Sequence, residues 1–509
     1  MNSHIVLDLH ITYQIHSQHK LKHKHKHSMQ KQMMTSELVL IPSPGAGHLP
    51  PTVELAKLLL RRDERLSVTI IIMNLPFGPK HNTQTPLCTP RLRFIDIPCS
   101  DSTMALITPK TFLSTFVEHH KSKVRDIVRG ITESNSAQLA GFVVDMFCIA
   151  MTDVANEFGV PTYTYFTSGA ATLGLMFYLQ GKRDQEADDV TELKNSVTSE
   201  LNAPVFINPV PANVLPEVVL DKEGGSKMFL DLAKRFRETN GIIVNTLQDL
   251  ESQALKYLLC SGNDIPPVFA VGPILNLESK NLDNGKTDEI MRWLNKQPES
   301  SVVFLCFGSM GSFNEKQVKE IAVAIEQSGQ RFLWSLRRPP PKEKFEYPKE
   351  YDNFEEVLPE GFLARTSSLV KVIGWAPQMA VLSHPSVGGF VSHCGWNSTL
   401  ESIWCGVPVA AWPLYAEQQL NAFQLVVELG LAVEIRMDYR TDTRVGGGGS
   451  GMIVSAEEIE DGIRKLMSND EMRKKVNDMK EKSRAAVLEG GSSHASVGKF
   501  IDLVVNVTI

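Results

Sequence analysis

The sequence lacks the features of several large protein classes. It contains no apolar stretch of about 18 residues or more, so it predicts no membrane span. Its seven cysteines among 509 residues form no C-x-x-C pair, which fits reduced thiols in a cytoplasmic protein better than a disulfide framework or a zinc site. A net charge of -6 with mixed signs gives no support for a nucleic-acid binder, which normally has a basic face. We therefore expect no membrane, nucleic acid or metal ion as a partner.

Length and composition indicate a globular chain of two domains. With 42% hydrophobic and 22% charged residues the chain is typical of soluble proteins. Its length exceeds that of most domains built around a single hydrophobic core. Residues 1–35 stand apart, because seven of the fourteen histidines lie there. We interpret this segment as a disordered extension, and a metal-binding tract is the alternative.

Two series of apolar runs alternate with helical patterns. The first begins with Leu38–Ile41 and a glycine turn, and the second begins with Val302–Phe307, after a polar linker. In the second series Asn314 can cap the following helix and Gly329 can end it. Continuous apolar runs are typical of parallel strands buried on both faces, so the fold class is α/β, with two Rossmann-like domains facing each other across a cleft. We expect an N-terminal acceptor-binding domain at 36–275, a C-terminal donor-binding domain at 276–487, and a last helix within 488–509 that packs back on the N-terminal domain.

The segment from Ser392 to Glu401 predicts a strand end, a glycine turn and a helix start, at the edge of the sheet where such domains bind ligands. The free N–H groups and the positive end of that helix suit an anion. His393 adds a donor, while Asn397 and Ser398 either bind a diphosphate or cap the helix. Glu401 lies one turn further on, where it can accept from two ribose hydroxyls or complement the helix dipole.

Two flanking segments extend this candidate site. Trp375 follows a strand at 370–373 and either stacks on a base or belongs to the core. Glu417 and Gln418 begin a helix after another strand, where they can hydrogen-bond sugar hydroxyls or cap that helix. The three segments together predict a pocket for a nucleotide that carries a sugar.

The stretch from Trp375 to Gln418 resembles the signature box of plant secondary-product UDP-glycosyltransferases. It begins W-A-P-Q, contains H-C-G-W-N-S-T-L-E-S and G-V-P, and ends in E-Q. The wider resemblance runs from about Glu37 to the C-terminus. It implies the GT-B fold and an inverting hexosyltransferase that uses UDP-glucose as its co-substrate and needs no cofactor.

The resemblance also implies a role for each matching residue. Trp375 would stack on uracil, the Ala376 backbone would pair with it, and Gln378 and Glu401 would hold the ribose. The residues expected at the diphosphate are Ser309, His393, Asn397 and Ser398, and those expected at the sugar are Trp396, Glu417 and Gln418. A terminal glutamine in this box usually accompanies UDP-glucose, so Gln418 favours glucose over galactose.

His48 and Asp145 are the candidate catalytic dyad. His48 follows the turn Gly45-Ala46-Gly47 at the start of the first helix, whose positive end we expect to lower the pKa of the imidazole. Asp145 ends the strand Phe142–Val144 and is placed to accept from the second ring nitrogen of His48, as a group that orients a base. The resemblance implies that these two residues are catalytic, whereas the sequence alone leaves His48 open to being an ordinary loop histidine.

The acceptor is expected to be a small hydrophobic molecule with a hydroxyl group, such as a flavonoid, another phenolic or a terpenoid. The expected pocket walls are apolar and aromatic residues of the N-terminal half: Phe77, Phe112, Phe116, Met146, Phe147, Phe166, Met176 and Phe177. Because the cleft is formed within one chain, we expect a monomer.

Two other functions compete with sugar transfer. A nicotinamide-dependent oxidoreductase could use the turn at Gly45 and Gly47, but Pro50 replaces the third glycine of that motif and no ribose-binding acid follows. A catalytically silent sugar-nucleotide-binding protein would keep Trp375, His393 and Glu401 but could lose His48 or Asp145, and both of these are present.

Overall fold

The computed structural model of the chain describes residues 35–506 apart from residue 46 and the segments 76–88, 99–111, 135–136, 187–188, 196–198, 261–263, 278–283, 342–345 and 442–451. The predicted extension therefore lies outside the described residues except for Thr35. Among the described helices, none is both long and apolar enough to cross a membrane.

The N-terminal half forms a seven-stranded parallel sheet with helices on both faces. Its strands, with a small separate hairpin of β6 and β7, are β1 Thr35–Ile41, β2 Leu66–Met73, β3 Leu92–Ile97, β4 Ala137–Asp145, β5 Thr162–Phe166, β6 Glu200–Leu201, β7 Val210–Pro211, β8 Gly241–Val244 and β9 Val268–Ala270. Its helices are α1 Leu49–Arg62, α2 Phe112–Glu133, α3 Thr152–Glu157, α4 Ala170–Glu186, α5 Gly225–Phe236 and α6 Ser252–Leu258, with 3₁₀ turns at Met146–Met151, Val190–Asn195, Ala212–Val214 and Glu217–Leu220. The strand order is β3-β2-β1-β4-β5-β8-β9.

The C-terminal half forms a six-stranded parallel sheet in the order β12-β11-β10-β13-β14-β15. Its strands are β10 Val302–Cys306, β11 Arg331–Ser335, β12 Val370–Ile373, β13 Val387–Ser392, β14 Val409–Ala411 and β15 Ala432–Glu434. Its helices are α7 Asn284–Leu294, α8 Glu315–Ser328, α9 Phe362–Thr366, α10 Gln378–Leu382, α11 Trp396–Cys405, α12 Gln418–Phe423, α13 Ala456–Ser468, α14 Asp470–Val487 and α15 Ser492–Asn506, with a 3₁₀ turn at Phe354–Glu356 and a π turn at Gln424–Glu428.

The predicted α/β class is confirmed, and so is its physical basis. Every residue of β2 and of β10 is buried, as expected of parallel strands covered on both faces. The predicted cap also forms, because the Asn314 side chain accepts from Gln317 N at 3.0 Å. Gly329 ends α8 with a φ of 64°, a left-handed conformation that favours glycine.

Each sheet reverses its strand order at one point, and that point sets the place of the site. Strand β1 lies between β2 and β4, and β10 lies between β11 and β13. The loops after two strands that flank such a point diverge and leave a crevice at the carboxyl edge of the sheet. His48 follows β1 and Asp145 is the last residue of β4, while Ser309 and His393 follow β10 and β13.

The last helix packs against the N-terminal sheet. The Phe500 ring of α15 contacts Tyr163 of β5 and Phe269 of β9, with ring centroids 5.1 and 5.5 Å apart. Ser493 donates its hydroxyl to the carbonyl oxygen of Gly272. The boundaries at 275 and 487 stay predictions, since part of the linker lies outside the described residues.

Candidate active site

His48 and Asp145 form a direct pair at the reversal point of the N-terminal sheet. His48 Nδ1 lies 2.8 Å from Asp145 Oδ2. Because a carboxylate only accepts hydrogen bonds, Nδ1 must carry the proton, and this leaves the lone pair of the neutral ring on Nε2. Thr167 Oγ1 lies 3.1 Å from the same Nδ1 and offers it a second acceptor. About 25% of the His48 side chain is exposed, whereas that of Asp145 is fully buried.

The Asp145 carboxylate is held by two groups for which the sequence predicted no such role. Its Oδ1 accepts from the Ser43 hydroxyl and from the backbone N–H of Phe147, 3.1 Å away. Hydrogen bonds from neutral donors stabilise the charged form of a buried carboxylate. Ser43 and Thr167 each follow a strand of the N-terminal sheet, which is the only sequence signal that pointed to them.

The expectation of a lowered pKa for His48 is wrong. Burial lowers the pKa of the imidazole, but the Asp145 charge, its hydrogen bond and the charge of Glu417 together raise the pKa above its usual value. Burial is the largest single influence, and only the combined effect of Asp145 and Glu417 outweighs it. The Asp145 charge also stabilises the imidazolium that forms when the base takes a proton.

His393 is packed into the reversal point of the C-terminal sheet. A Cβ atom at Gly308 would lie 2.7 Å from His393 Nε2, and one at Gly395 would lie 2.5 Å from it, so both positions require glycine. Burial lowers the pKa of His393 to about 4, which leaves the ring neutral. Its Nδ1 is buried and has no hydrogen-bond partner within the described residues. A bound anion is one group that could satisfy this nitrogen as a donor.

The start of α11 is open to a ligand. Its N-cap is Gly395, which makes no side-chain cap bond, so the alternative in which Asn397 and Ser398 cap the helix is wrong. Asn397 instead donates to the carbonyl oxygen of Gly47 across the cleft. Within the described part of the chain the N–H groups of this first turn have no partner, and such groups suit an anion. Ser309 lies exposed on the adjoining turn after β10.

The expected ribose residues contact one another. Gln378 Nε2 donates to Glu401 Oε2 at 2.6 Å and to Ser398 Oγ at 2.8 Å. Burial raises the pKa of Glu401 to about 7, although the Gln378 bond lowers it. A desolvated carboxylate with few donors gains from hydroxyl groups that bind to it, as those of a ribose would.

Trp375 is exposed, so the alternative of a core tryptophan is wrong. About 49% of its surface is accessible, and its backbone N–H donates to Glu350 Oε1 at 3.0 Å. Ala376 is buried beside it. An exposed indole held by its own backbone provides a flat face for a base.

The residues expected at the sugar are positioned in three different ways. Glu417 accepts from the Ser168 hydroxyl of the N-terminal half at 3.1 Å. Gln418 Oε1 accepts from the N–H groups of Leu414 and Tyr415, and the Gln418 side chain also hydrogen-bonds the side chain of Tyr415. The indole of Trp396 is buried and donates to the carbonyl oxygen of Asn245 at 2.8 Å. Its side chain therefore belongs to the domain contact, and only its backbone could contact a sugar.

The expected acceptor walls are corrected in part. Phe116 and Phe166 are 0% exposed and pack on His120 and Phe236 in the core, so they line no pocket, and the buried Met176 and Phe177 are core residues too. Phe147 contacts the His48 ring, with centroids 5.6 Å apart, and nearly buried Met146 precedes it. Phe77 lies outside the described residues, and Phe112 begins α2.

The chain resembles known proteins over most of its length. Residues 246–445 match the family described as UDP-glucoronosyl and UDP-glucosyl transferase. UDP-glycosyltransferase 71E1 of Stevia rebaudiana is 78% identical over 477 residues, 94% of this chain and all of that protein. UDP-glucose flavonoid 3-O-glucosyltransferase 6 of Fragaria ananassa is 54% identical over 92% of this chain and 98% of its own. A Medicago truncatula glycosyltransferase solved with UDP-glucose superposes with a TM-score of 0.80 at 42% identity, covering 92% of this chain and 98% of that one.

Proposed function

The chain belongs to the family of UDP-glucuronosyl and UDP-glucosyl transferases, and we propose that it transfers glucose from UDP-glucose, with inversion, to a hydroxyl of a small hydrophobic plant metabolite. A flavonoid, another phenolic or a terpenoid fits this class. The observation that carries the proposal is the pair of His48 and Asp145, 2.8 Å apart, in the turn that Asn397 of the donor segment touches. A nicotinamide-dependent reaction finds no support in this family.

His48 acts as the general base in the proposed reaction. Its Nε2 takes the proton of the acceptor hydroxyl while that oxygen attacks the anomeric carbon from the face opposite UDP. The bond from the anomeric carbon to the diphosphate breaks, and its electron pair leaves with UDP. Asp145 holds the proton on Nδ1 and stabilises the imidazolium that forms.

The donor segment stabilises the leaving diphosphate. Preorganised donors at the open start of α11 lie where negative charge accumulates on the departing UDP. His393, Asn397, Ser398 and Ser309 are the proposed side-chain contacts, and Trp375, Gln378 and Glu401 the proposed contacts to the nucleoside. Glu417 and the Gln418 amide are proposed to hold the glucose hydroxyls.

The relatives support the proposed substrates. The Medicago protein was solved with UDP-glucose, and the Fragaria protein is named for a flavonoid and UDP-glucose. We extend both substrates to this chain as part of the proposal. We also propose that the enzyme is a monomer, because one chain supplies both sides of the cleft. Its proposed location is the cytoplasm.

The test is a transfer assay with UDP-glucose and a panel of flavonoids, simple phenols and terpenoid alcohols. We expect products that gain one hexose in mass and whose anomeric configuration is opposite to that of the donor. A retained configuration would overturn inversion. UDP binding without any hexosylated product would favour the silent sugar-nucleotide-binding protein.

A further inference from the structure

The turn between β5 and α4 contacts both halves of the active site. Thr167 Oγ1 lies 3.1 Å from His48 Nδ1. The next residue, Ser168, donates its hydroxyl to Glu417 Oε1 at 3.1 Å. A small displacement of this turn would therefore disturb the proposed base and a proposed sugar contact together.

A buried carboxylate, Glu251, fixes that turn from behind. Its oxygens accept from the backbone N–H groups of Ala170 at 2.6 Å and Ala171 at 2.8 Å, the first two residues of α4. These N–H groups have no partner inside the helix, and a negative charge there is favourable. The fit leaves no space, because a Cβ atom at Gly169 would lie 2.8 Å from Glu251 Oε1.

The same carboxylate reaches the C-terminal half. Gln424 Nε2 donates to Glu251 Oε1 at 3.2 Å. Gln424 directly follows α12, and Glu417 is the N-cap residue of that helix. Glu251 is thus hydrogen-bonded on both sides of the cleft, to the start of α4 and to the end of α12.

We propose that Glu251 is a positioning residue for sugar transfer: it holds Thr167 and Ser168 against His48 and Glu417 without touching either substrate. The inference rests on the proposed function. A positioning role differs from a purely structural role in its effect on the rate of transfer, since misplacing reacting groups by about 1 Å can cost on the order of 100-fold in rate. No expected contact of the UDP moiety lies on this turn.

The test compares Glu251→Gln with a matched variant, Glu428→Gln. The Glu428 carboxylate also links the two halves, because it accepts hydrogen bonds from the backbone N–H groups of Ile207 and Asn208. It does not contact the turn between β5 and α4. For each variant, kcat is measured per UDP-binding site, with the sites counted by calorimetry. We expect Glu251→Gln to lower kcat by about 10- to 100-fold with the Kd of UDP unchanged, and Glu428→Gln to leave both values unchanged.

Several outcomes would overturn the proposal. A kcat per site that is unchanged in Glu251→Gln, or lowered equally in both variants, would assign Glu251 a structural role. If Glu251→Gln does not fold, Gln424→Met removes one donor alone, and an unchanged kcat in that variant would refute the link across the cleft. A wild-type enzyme that binds UDP but transfers no sugar would instead overturn the proposed function.

Discussion

Asn397 donates its side-chain amide to the carbonyl oxygen of Gly47, 3.1 Å away, although the two residues are 350 positions apart. The bond joins the open start of α11 to the residue before His48. The second amide atom, Asn397 Oδ1, is buried without a hydrogen-bond partner among the described residues. The Asn397 amide thus lies between the proposed diphosphate site and the proposed base.

Asn397→Asp should weaken UDP binding. The aspartate has the same shape but cannot donate, and its charge would lie beside the diphosphate. Hydrogen bonds to charged groups contribute about 1.5–3 kcal/mol, so we expect the Kd of UDP to rise at least roughly 10-fold. Calorimetry with UDP and with uridine tests this, because uridine has no phosphate and should bind equally to both proteins. An equal loss for uridine would contradict a diphosphate contact.

His48→Ala should abolish most transfer and leave donor binding intact. A general base contributes about 10²- to 10⁴-fold in rate, and we expect kcat to fall within that range for an alcohol acceptor. The Kd of UDP should not change. His119→Ala is the control, since this exposed histidine lies on α2 and its Nδ1 is 2.9 Å from the carbonyl oxygen of Thr115 in the same helix. Normal turnover by His48→Ala would contradict the assignment of His48 as the general base.

Asp145→Asn should move the acid limb of the pH profile. His48 must be neutral to act, so activity is lost as the pH falls through its pKa, which Asp145 raises. Removing that charge lowers the pKa, and we expect the acid limb of kcat/KM to move to lower pH. The plateau should also fall, because an amide stabilises the imidazolium less well. An acid limb in the same place would show that a group other than His48 controls it.

Trp375→Ala should reduce affinity for the uracil base. Stacking of a base on an aromatic ring contributes about 1–3 kcal/mol, so the Kd of UDP should rise roughly 10- to 100-fold. Trp404→Ala is the matched control, since its ring lies below the Arg484 guanidinium, 5.5 Å away, on the C-terminal half as well. Equal effects on UDP binding in both variants would contradict stacking.

The sequence was sufficient for the fold class and for the edge of each sheet at which the site lies. Apolar runs predicted parallel strands, and the cleft follows from the reversal of strand order. His48 and Asp145 are 97 positions apart, yet both could be proposed because each follows a strand. The contact between them was predicted with the help of the family resemblance, because periodicity alone does not give the order of β1 and β4.

The wrong predictions concern properties that depend on the direction of a side chain or on a neighbouring charge. Phe147 and Phe166 have the same apolar character in the sequence, but one contacts His48 and the other is in the core. Trp396 begins a helix, and its direction is set by Asn245 of the other half. The pKa of His48 depends on the distance to Asp145, which the helix argument left out.

Helix α12 has a consequence for engineering by recombination. It belongs to the C-terminal half in sequence, but Leu420 and Phe423 are buried in the hydrophobic core of the N-terminal half, where Phe423 meets the ring of Phe206 at 6.0 Å. A chimera that exchanges whole halves with a relative would pair this helix with a core shaped for another sequence. Retaining residues 418–423 from the parent that supplies the N-terminal half would keep that packing intact while a new donor half is introduced.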